Sequence, residues 1–331
     1  MIENNALAVV FALGSALTIA WGTVVRHRIA IASGENRSGA IMDAIKQPMW
    51  WVGVASALFG YLLQIIALAF GTLLVVQPIL VLSLMFTLPL SAKYDGRRIS
   101  ASETTWAGLL TAAVAVLVIR GNPAPGHREP DLTVWLICLG IGAVVLLAFF
   151  VYALEQAAAL RALILGSITG AIMGYVAVLS KAVVDVFSDS GAPALLASWE
   201  LWTLIAFAAV GTAVQQASFN AGPLKNSLPA MTVVEPIFAF ILGYIVLGEK
   251  FRITEWEYAY MAAAIAVMLI STVILSRKSL EEDGDTETNT TTNTTTNTTT
   301  NTTTTSATNA TAETGATDMT ASPNSTTTTP Q

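Results

Sequence analysis

The stretch Val233-Val234-Glu235-Pro236-Ile237 repeats Val75-Val76-Gln77-Pro78-Ile79 from the first half of the same chain. The match extends on both sides, to Gly60–Gln64 with Gly71 against Gly211–Gln215 with Gly222, and to Gly14–Arg26 against Gly170–Ala182. A hydrophobic repeat of this length is typical of a membrane transporter built from two structural copies. The main difference between the copies is Gln77 in one and Glu235 in the other, and we expect chemistry at that position.

The composition excludes several classes of protein. The chain is 54% hydrophobic and 11% charged, whereas soluble proteins carry about 25% charged residues. The single cysteine, Cys138, and the two distant histidines, His27 and His127, offer neither a disulfide nor a metal site. The sequence contains no glycine-rich phosphate loop, GxSxG or HExxH motif. We therefore predict that the protein is not an enzyme, uses no cofactor and binds no nucleic acid.

The end of the chain differs from the rest. Residues 279–331 contain no Lys or Arg and consist mainly of Thr, Asn, Ser and Ala, with Asn-Thr-Thr-Thr repeated from Asn289. Such a segment has too little apolar surface to offset the entropy of the ordered chain. It is predicted to be a disordered, acidic tail that follows a transmembrane domain of residues 1–278.

Nine apolar stretches are long enough to cross about 30 Å of hydrocarbon. They predict an all-α polytopic membrane protein with nine transmembrane helices, at residues 5–25, 49–69, 72–92, 104–120, 132–153, 162–186, 198–219, 227–247 and 256–276. The repeat assigns spans 1–4 to a first copy, about 5–120, and spans 6–9 to a second, about 162–276. Span 5, about 132–153, joins them.

The distribution of basic residues predicts the orientation. With the N-terminus outside, the cytoplasmic segments hold eleven Lys and Arg residues and the outer segments five, as the positive-inside rule expects of a plasma-membrane protein. The C-terminus and the tail are then cytoplasmic. Because the copies begin five spans apart, they have opposite orientations, which makes them an inverted repeat with the binding site near the bilayer midplane.

The second copy carries motifs of a known family. The stretch Glu235-Pro236-Ile237 to Leu247-Gly248-Glu249-Lys250, followed by Ile253-Thr254 and an Ala-rich last span, resembles the EamA-type module of the drug/metabolite transporter superfamily. The nine-span layout, with Trp50-Trp51-x-Gly53 opening span 2, is nearest to the NIPA-like magnesium transporter branch. In the first copy, Lys93-Tyr94-Asp95-Gly96 replaces the Leu-Gly-Glu-Lys motif. The resemblance implies a transporter and leaves the substrate open.

Glu235 is the leading candidate for a substrate or coupling-ion site. It is the one carboxylate that we place well inside a span, where a charge costs at least about 2.5 kcal/mol. Pro236 removes a backbone donor and frees a carbonyl one turn earlier, and Pro78 does the same beside Gln77, so both prolines are candidate hinges. A carboxylate beside a free carbonyl suits a proton or a metal cation, and structural hydrogen bonding of Glu235 is the alternative.

Other polar and aromatic side chains in the spans are weaker candidates for substrate contact: Gln64, Gln215, Gln216, Asn220, Lys181, Tyr175 and Trp21. The amides also fit hydrogen bonds between helices, and the aromatic rings fit packing. Lys181 could pair with Asp185, four residues later on the same helix face. Glu249 and Lys250 are interpreted as a turn and cap at the end of span 8, with a role in gating left open.

The sequence thus predicts a gradient-driven secondary transporter for a small metabolite or drug-like solute. A NIPA-like transporter of Mg²⁺ or another divalent cation is the alternative, in which Glu235 would be a metal ligand. A non-transporting membrane scaffold is the second alternative, although a scaffold has no need of an inverted repeat. The expected partners are the solute or cation and the lipid bilayer, and the formation of a homodimer is left open.

Overall fold

Long apolar helices form most of the chain. The computed structural model describes residues 5–32, 48–95, 98–121, 123–124, 126, 131–222, 224–251 and 256–278. The chain divides into two units, Met1–Glu281 and Glu282–Gln331. The predicted tail, residues 279–331, lies outside the described residues.

The helices in chain order are α1 (Asn5–Ala32), α2 (Pro48–Phe70), α3 (Leu73–Val81), α4 (Ser83–Asp95), α5 (Ala101–Gly121), α6 (Leu132–Leu154), α7 (Ala158–Ala197), α8 (Trp199–Ala221), α9 (Leu224–Ile245) and α10 (Glu257–Lys278). Two short strands, β1 (Pro123–Ala124) and β2 (Lys250–Phe251), pair antiparallel. Within the described residues, nine helical stretches are long and apolar enough to cross a membrane. They confirm the nine predicted spans and fit an integral membrane protein.

The third span, Leu73–Lys93, consists of α3 and α4, which meet at Leu82. Pro78 lies inside α3 and has no N–H to donate to the carbonyl of Leu74. Helix α3 ends at Val81, the N–H of its C-cap Leu82 donates to the carbonyl of Ile79 at 3.0 Å, and α4 begins at Ser83. The proline that was predicted to be a hinge therefore lies one turn before the junction of α3 and α4.

The sixth span is longer than predicted. Hydropathy placed it at residues 162–186, whereas α7 has 40 residues and continues to Ala197. The helix breaks at Gly191, where φ is +75°, a conformation that glycine adopts readily. Pro193 follows, in the first turn of the continuing helix, where proline is tolerated. The predicted end at residue 186 precedes the polar stretch Ser188-Asp189-Ser190, which is still helical.

Helix α7 lies at the centre of the packing and contacts α2, α6, α8 and α9. Its closest neighbour is α9, because α7 presents three glycines to it. A Cβ atom would lie 2.6 Å from the carbonyl oxygen of Ser227 if built on Gly166, and 2.6 Å from that of Met231 if built on Gly170. A Cβ on Gly174 would lie 2.6 Å from the Cβ of Phe238. Side chains at these positions would separate the helices.

Helix α6, the predicted connector, lies at the periphery and packs mainly on α7. Its large apolar side chains are exposed, among them Ile141 at 62%, Val144 at 69% and Leu147 at 64%. An apolar surface of this kind suits contact with lipid, where exposed hydrocarbon has no cost. The connector thus fits the edge of the helix bundle.

Two contacts bring distant turns to the same face of the bundle. Ala124, just after α5, pairs with Lys250, just after α9. Glu249 in turn contacts the first residues of α3. The fourth and eighth spans therefore end at the face where the third begins, as alternating crossings of a membrane require.

Candidate functional site

Glu235 lies in the middle of α9, where this helix touches α7. A Cβ on Gly170 would lie 3.1 Å from the backbone nitrogen of Glu235, and one on Gly174 would lie 3.0 Å from its carbonyl oxygen. The side chain is half-buried. Within the part of the chain that the structure describes, its carboxyl group makes no hydrogen bond or ion pair. Glycines of α7 thus fix the backbone of Glu235, while its carboxyl has no partner among the described residues.

Two prolines remove backbone donors from α9. Pro229 and Pro236 both lie inside α9, and Pro236 has no N–H to donate to the carbonyl of Thr232. The Thr232 hydroxyl donates to the carbonyls of Leu228 at 3.1 Å and Pro229 at 3.2 Å. One carboxyl group and one carbonyl without its helical donor thus lie one turn apart on α9.

Gln77 is the counterpart of Glu235 in the first copy. Its side chain is 2% exposed, and its amide nitrogen is buried and makes no hydrogen bond within the described residues. It lies on α3, which packs against α9 and α7. A buried donor without an acceptor costs about 1–3 kcal/mol. The Gln77 amide nitrogen thus lacks an acceptor among the described residues.

Two further candidates lie near Glu235. The Gln215 amide nitrogen approaches the sulfur of Met231, one turn before Glu235, at 3.5 Å. Tyr175 is buried, and its ring lies 6.5 Å from that of Phe238, which follows Glu235 on α9. The Tyr175 hydroxyl donates to the carbonyl of Cys138 at 2.8 Å. Tyr175 thus joins α6 to α7, which agrees with a packing role.

The remaining candidates are more dispersed. Gln216 and Asn220 are exposed on α8, whereas Gln64 on α2 and Trp21 on α1 are half-buried. Of the weaker candidates, Gln215 and Tyr175 approach α9 within one or two turns of Glu235. The exposed amides of α8 lie in a different environment.

Lys181 and Asp185 form the ion pair that their spacing predicted. The Lys181 ammonium lies 2.9 Å from a carboxylate oxygen of Asp185 and 2.9 Å from the carbonyl oxygen of Leu68. Leu68 is close to the end of α2. Lys181 thus ties the second copy to the end of a helix in the first, which spacing alone did not indicate.

A second polar site is centred on Glu249, which the sequence indicated only as a turn and cap. Its two carboxylate oxygens accept hydrogen bonds from the N–H groups of Leu73 at 2.9 Å and Leu74 at 3.0 Å. Glu249 is 1% exposed. It therefore caps the start of α3, a helix of the other copy, and Gly248 with φ of +68° precedes it. The Leu-Gly-Glu turn was the available signal, but it did not reveal the partner.

The Glu249 carboxyl is more easily protonated in this buried position than it would be in water. Burial raises the pKa of its carboxyl to about 7. The N–H groups of Leu73 and Leu74 and the positive charge of Lys181 act in the opposite direction, and the negative charge of Asp185 adds to the effect of burial. Glu249 is thus a buried group that can change its protonation near neutral pH.

The described residues include no cluster of three or more His, Cys, Asp or Glu side chains that could hold a metal ion. Glu235 would contribute one carboxylate, and Glu249 is occupied by backbone N–H groups. Mg²⁺ commonly binds through one or two carboxylates and keeps several waters. A metal bound at Glu235 would therefore depend on carbonyl groups and water.

Comparison with known proteins identified one extensive match. Over 281 residues the chain is 53% identical to the "Uncharacterized protein Cgl0250/cg0304" of Corynebacterium glutamicum, and the match covers 84% of this chain and 97% of that protein. The sequence matches no protein-family profile. No solved structure matches it either.

Proposed function

The chain belongs to the same family as the Corynebacterium glutamicum protein Cgl0250/cg0304, and we propose that it is a secondary transporter for a small metabolite or drug-like solute. Transport would occur by alternating access across the plasma membrane, with the N-terminus outside and the tail in the cytoplasm. The energy would come from an ion or solute gradient. The proposal places the protein in the drug/metabolite transporter superfamily, which its motifs resemble.

The observation that carries this proposal is that Gln77 and Glu235, at equivalent positions of the repeat, both lack a side-chain partner among the described residues. Each occupies the same position before a proline in its copy, and the helices that carry them, α3 and α9, pack together. Neither side chain has a hydrogen-bond partner for its buried amide nitrogen or its carboxyl among the described residues. Uncompensated polar groups inside apolar helices are costly. Their retention is explained if a solute or ion supplies the missing partners.

The internal repeat supports alternating access. If spans 1–4 and 6–9 are inverted copies, the site lies at their interface near the midplane, and rocking one copy against the other opens it to either side. The prolines in α3 and α9 favour this motion because they weaken the helices beside the site. A scaffold protein would gain nothing from such symmetry.

The chemistry around Glu235 favours an organic solute over a hydrated metal ion. Glu235 and Gln215 offer a carboxyl and an amide group, and the nearby side chains of Met231 and Phe238 on α9 are apolar. Solute pockets commonly combine an apolar lining with a few polar groups. Transport of Mg²⁺ remains the second candidate function, favoured by the free Thr232 carbonyl beside the Glu235 carboxyl.

The test begins with binding to the purified full chain. A ligand present at 100 times its Kd stabilises the folded state by about 2.7 kcal/mol, so a thermal-shift screen of metabolites, cationic drugs and Mg²⁺ should find stabilising compounds. Each is then tested for uptake into proteoliposomes under a pH or solute gradient. The proposal predicts gradient-dependent uptake of at least one organic solute. Uptake of Mg²⁺ alone would favour the second candidate, and the absence of any flux would contradict transport.

A further inference from the structure

We propose that the Glu249 carboxyl is the proton-binding site that controls the contact between the two copies of the repeat. The ligand is a proton, taken from bulk water onto a carboxylate oxygen of Glu249. The use of this proton to couple transport to a gradient rests on the proposed function above. The contact on which the site depends follows from the geometry described next.

The contact joins parts of the chain that are far apart in sequence. Glu249 follows α9, and its two oxygens bind the N–H groups of Leu73 and Leu74, 176 and 175 residues earlier. Both N–H groups belong to the first turn of α3, where a helix has no internal acceptors for them. The positive end of the helix dipole adds to their attraction for a carboxylate. A single side chain of the second copy therefore holds the helix of Gln77.

The charges that reach Glu249 among the described residues all come from α7. Lys181 favours the ionised carboxylate and Asp185 opposes it. Lys181 is itself anchored to the carbonyl of Leu68 and to Asp185, at 2.9 Å each. Lys250, the neighbour of Glu249, is exposed and its ammonium lies 6.0 Å from the ring centroid of Tyr244. Two groups of opposite sign thus tune one buried carboxyl.

Protonation changes what this carboxyl can do. The carboxylate accepts from both N–H groups, whereas the neutral acid keeps one carbonyl oxygen as an acceptor and turns the other oxygen into a donor. The neutral acid also removes the cost of holding a charge away from water. Protonation therefore weakens one of the two hydrogen bonds, but it also removes the cost of keeping a charge away from water.

The balance between hydrogen bonding and desolvation determines how pH changes the contact between Glu249 and α3. The pKa of Glu249 is about 7 in this buried position, above its ordinary value of 4.5. The conformation that holds a proton more tightly is favoured at low pH. The contact with α3 is therefore most stable below 4.5 and weakens as the pH rises through about 7, because the ionised carboxyl gains more from water.

The dependence of this contact on the protonation of Glu249 connects it to alternating access. The contact lies at the face where α3 begins and α9 ends, which the basic residues predict to be the outer face. Binding of a proton there would favour the conformation with Glu249 buried. Release of the proton would favour a conformation in which α3 and the end of α9 separate, so a pH difference across the membrane would bias the two states.

Hydrogen–deuterium exchange of the Leu73 and Leu74 amides tests the site without any solute. The full chain in lipid nanodiscs is labelled at about pH 5 and about pH 8, and the rates are corrected for intrinsic exchange. Linkage with the raised pKa predicts that protection of these amides falls by about tenfold or more between the two values. Glu249→Gln, which resembles the protonated acid, should retain protection at both values. Glu155→Gln, at an exposed carboxyl after α6, is the matched control and should behave as wild type.

A second variant tests the site independently, in case Glu249→Gln does not fold. Lys181→Met removes the positive charge that lowers the pKa of Glu249, so the midpoint of the wild-type pH response should move to higher pH. The proposal is overturned if wild-type protection is independent of pH, or if Glu249→Gln keeps the wild-type response. Uptake experiments give a separate result, because a chain without any transport could still show this exchange response.

Discussion

A Cβ atom on Gly170 would lie 3.1 Å from the backbone nitrogen of Glu235. The same atom would lie 2.6 Å from the carbonyl oxygen of Met231, on the preceding turn of α9. Only glycine allows this approach, and backbone atoms cannot rotate away as a side chain does. The position of Glu235 is therefore set by the surface of α7, and a methyl group on that surface should displace it.

Gly170→Ala should destabilise the protein by about 1–3 kcal/mol, because overpacking forces two helix backbones apart. Gly140→Ala on α6 is the matched control, since a Cβ there has nothing within 4 Å and alanine is the better helix former by about 1 kcal/mol. Thermal unfolding in detergent measures both. Equal melting temperatures for the two variants would show that α7 and α9 do not pack as described.

Gln77→Met should stabilise the fold by about 1 kcal/mol, because it replaces an unsatisfied buried amide with an apolar side chain of similar shape. If the amide binds solute, the same variant should lose uptake. Gln216→Met, at an exposed position on α8, should change neither property greatly. A Gln77→Met protein that is less stable than wild type would indicate that the amide has a structural partner.

Several features could be predicted from the sequence, and the reason is that they are local. The spans follow from runs of about 20 apolar residues, and the pairing of Lys181 with Asp185 follows from their spacing of four. The depth of Glu235 follows from its place in a span. The helical residues beyond position 186 were missed because Ser188-Asp189-Ser190 lowers the local hydropathy before the break at Gly191.

The contact of Glu249 with Leu73 could not be predicted in the same way. The two residues are 176 positions apart, and no local pattern states which helix start a carboxylate will reach. The burial of the Gln77 amide likewise depends on how α3 packs against α7 and α9. The repeat indicated which residues correspond to each other, but contacts between copies require the folded chain.

Glu249→Ala should destabilise the protein by about 1–3 kcal/mol, because two buried N–H groups at the start of α3 lose their acceptor. Lys250→Ala changes the next residue, which is exposed, and should leave the melting temperature nearly unchanged. Thermal unfolding of both variants at one pH makes the comparison. A neutral effect of Glu249→Ala would mean that water replaces the carboxylate and that the contact does not hold the two copies together.

The central claim is that Glu235 acts in transport, and flux through proteoliposomes tests it most directly. Wild type, Glu235→Gln and the control Glu155→Gln are reconstituted at equal amounts after their folding has been verified by melting temperature. For a solute found in the screen, loss of an ionisable site group should lower the initial rate of gradient-driven uptake by about tenfold or more in Glu235→Gln. Glu155→Gln should match wild type. Equal uptake by Glu235→Gln and wild type across a pH series would contradict the account.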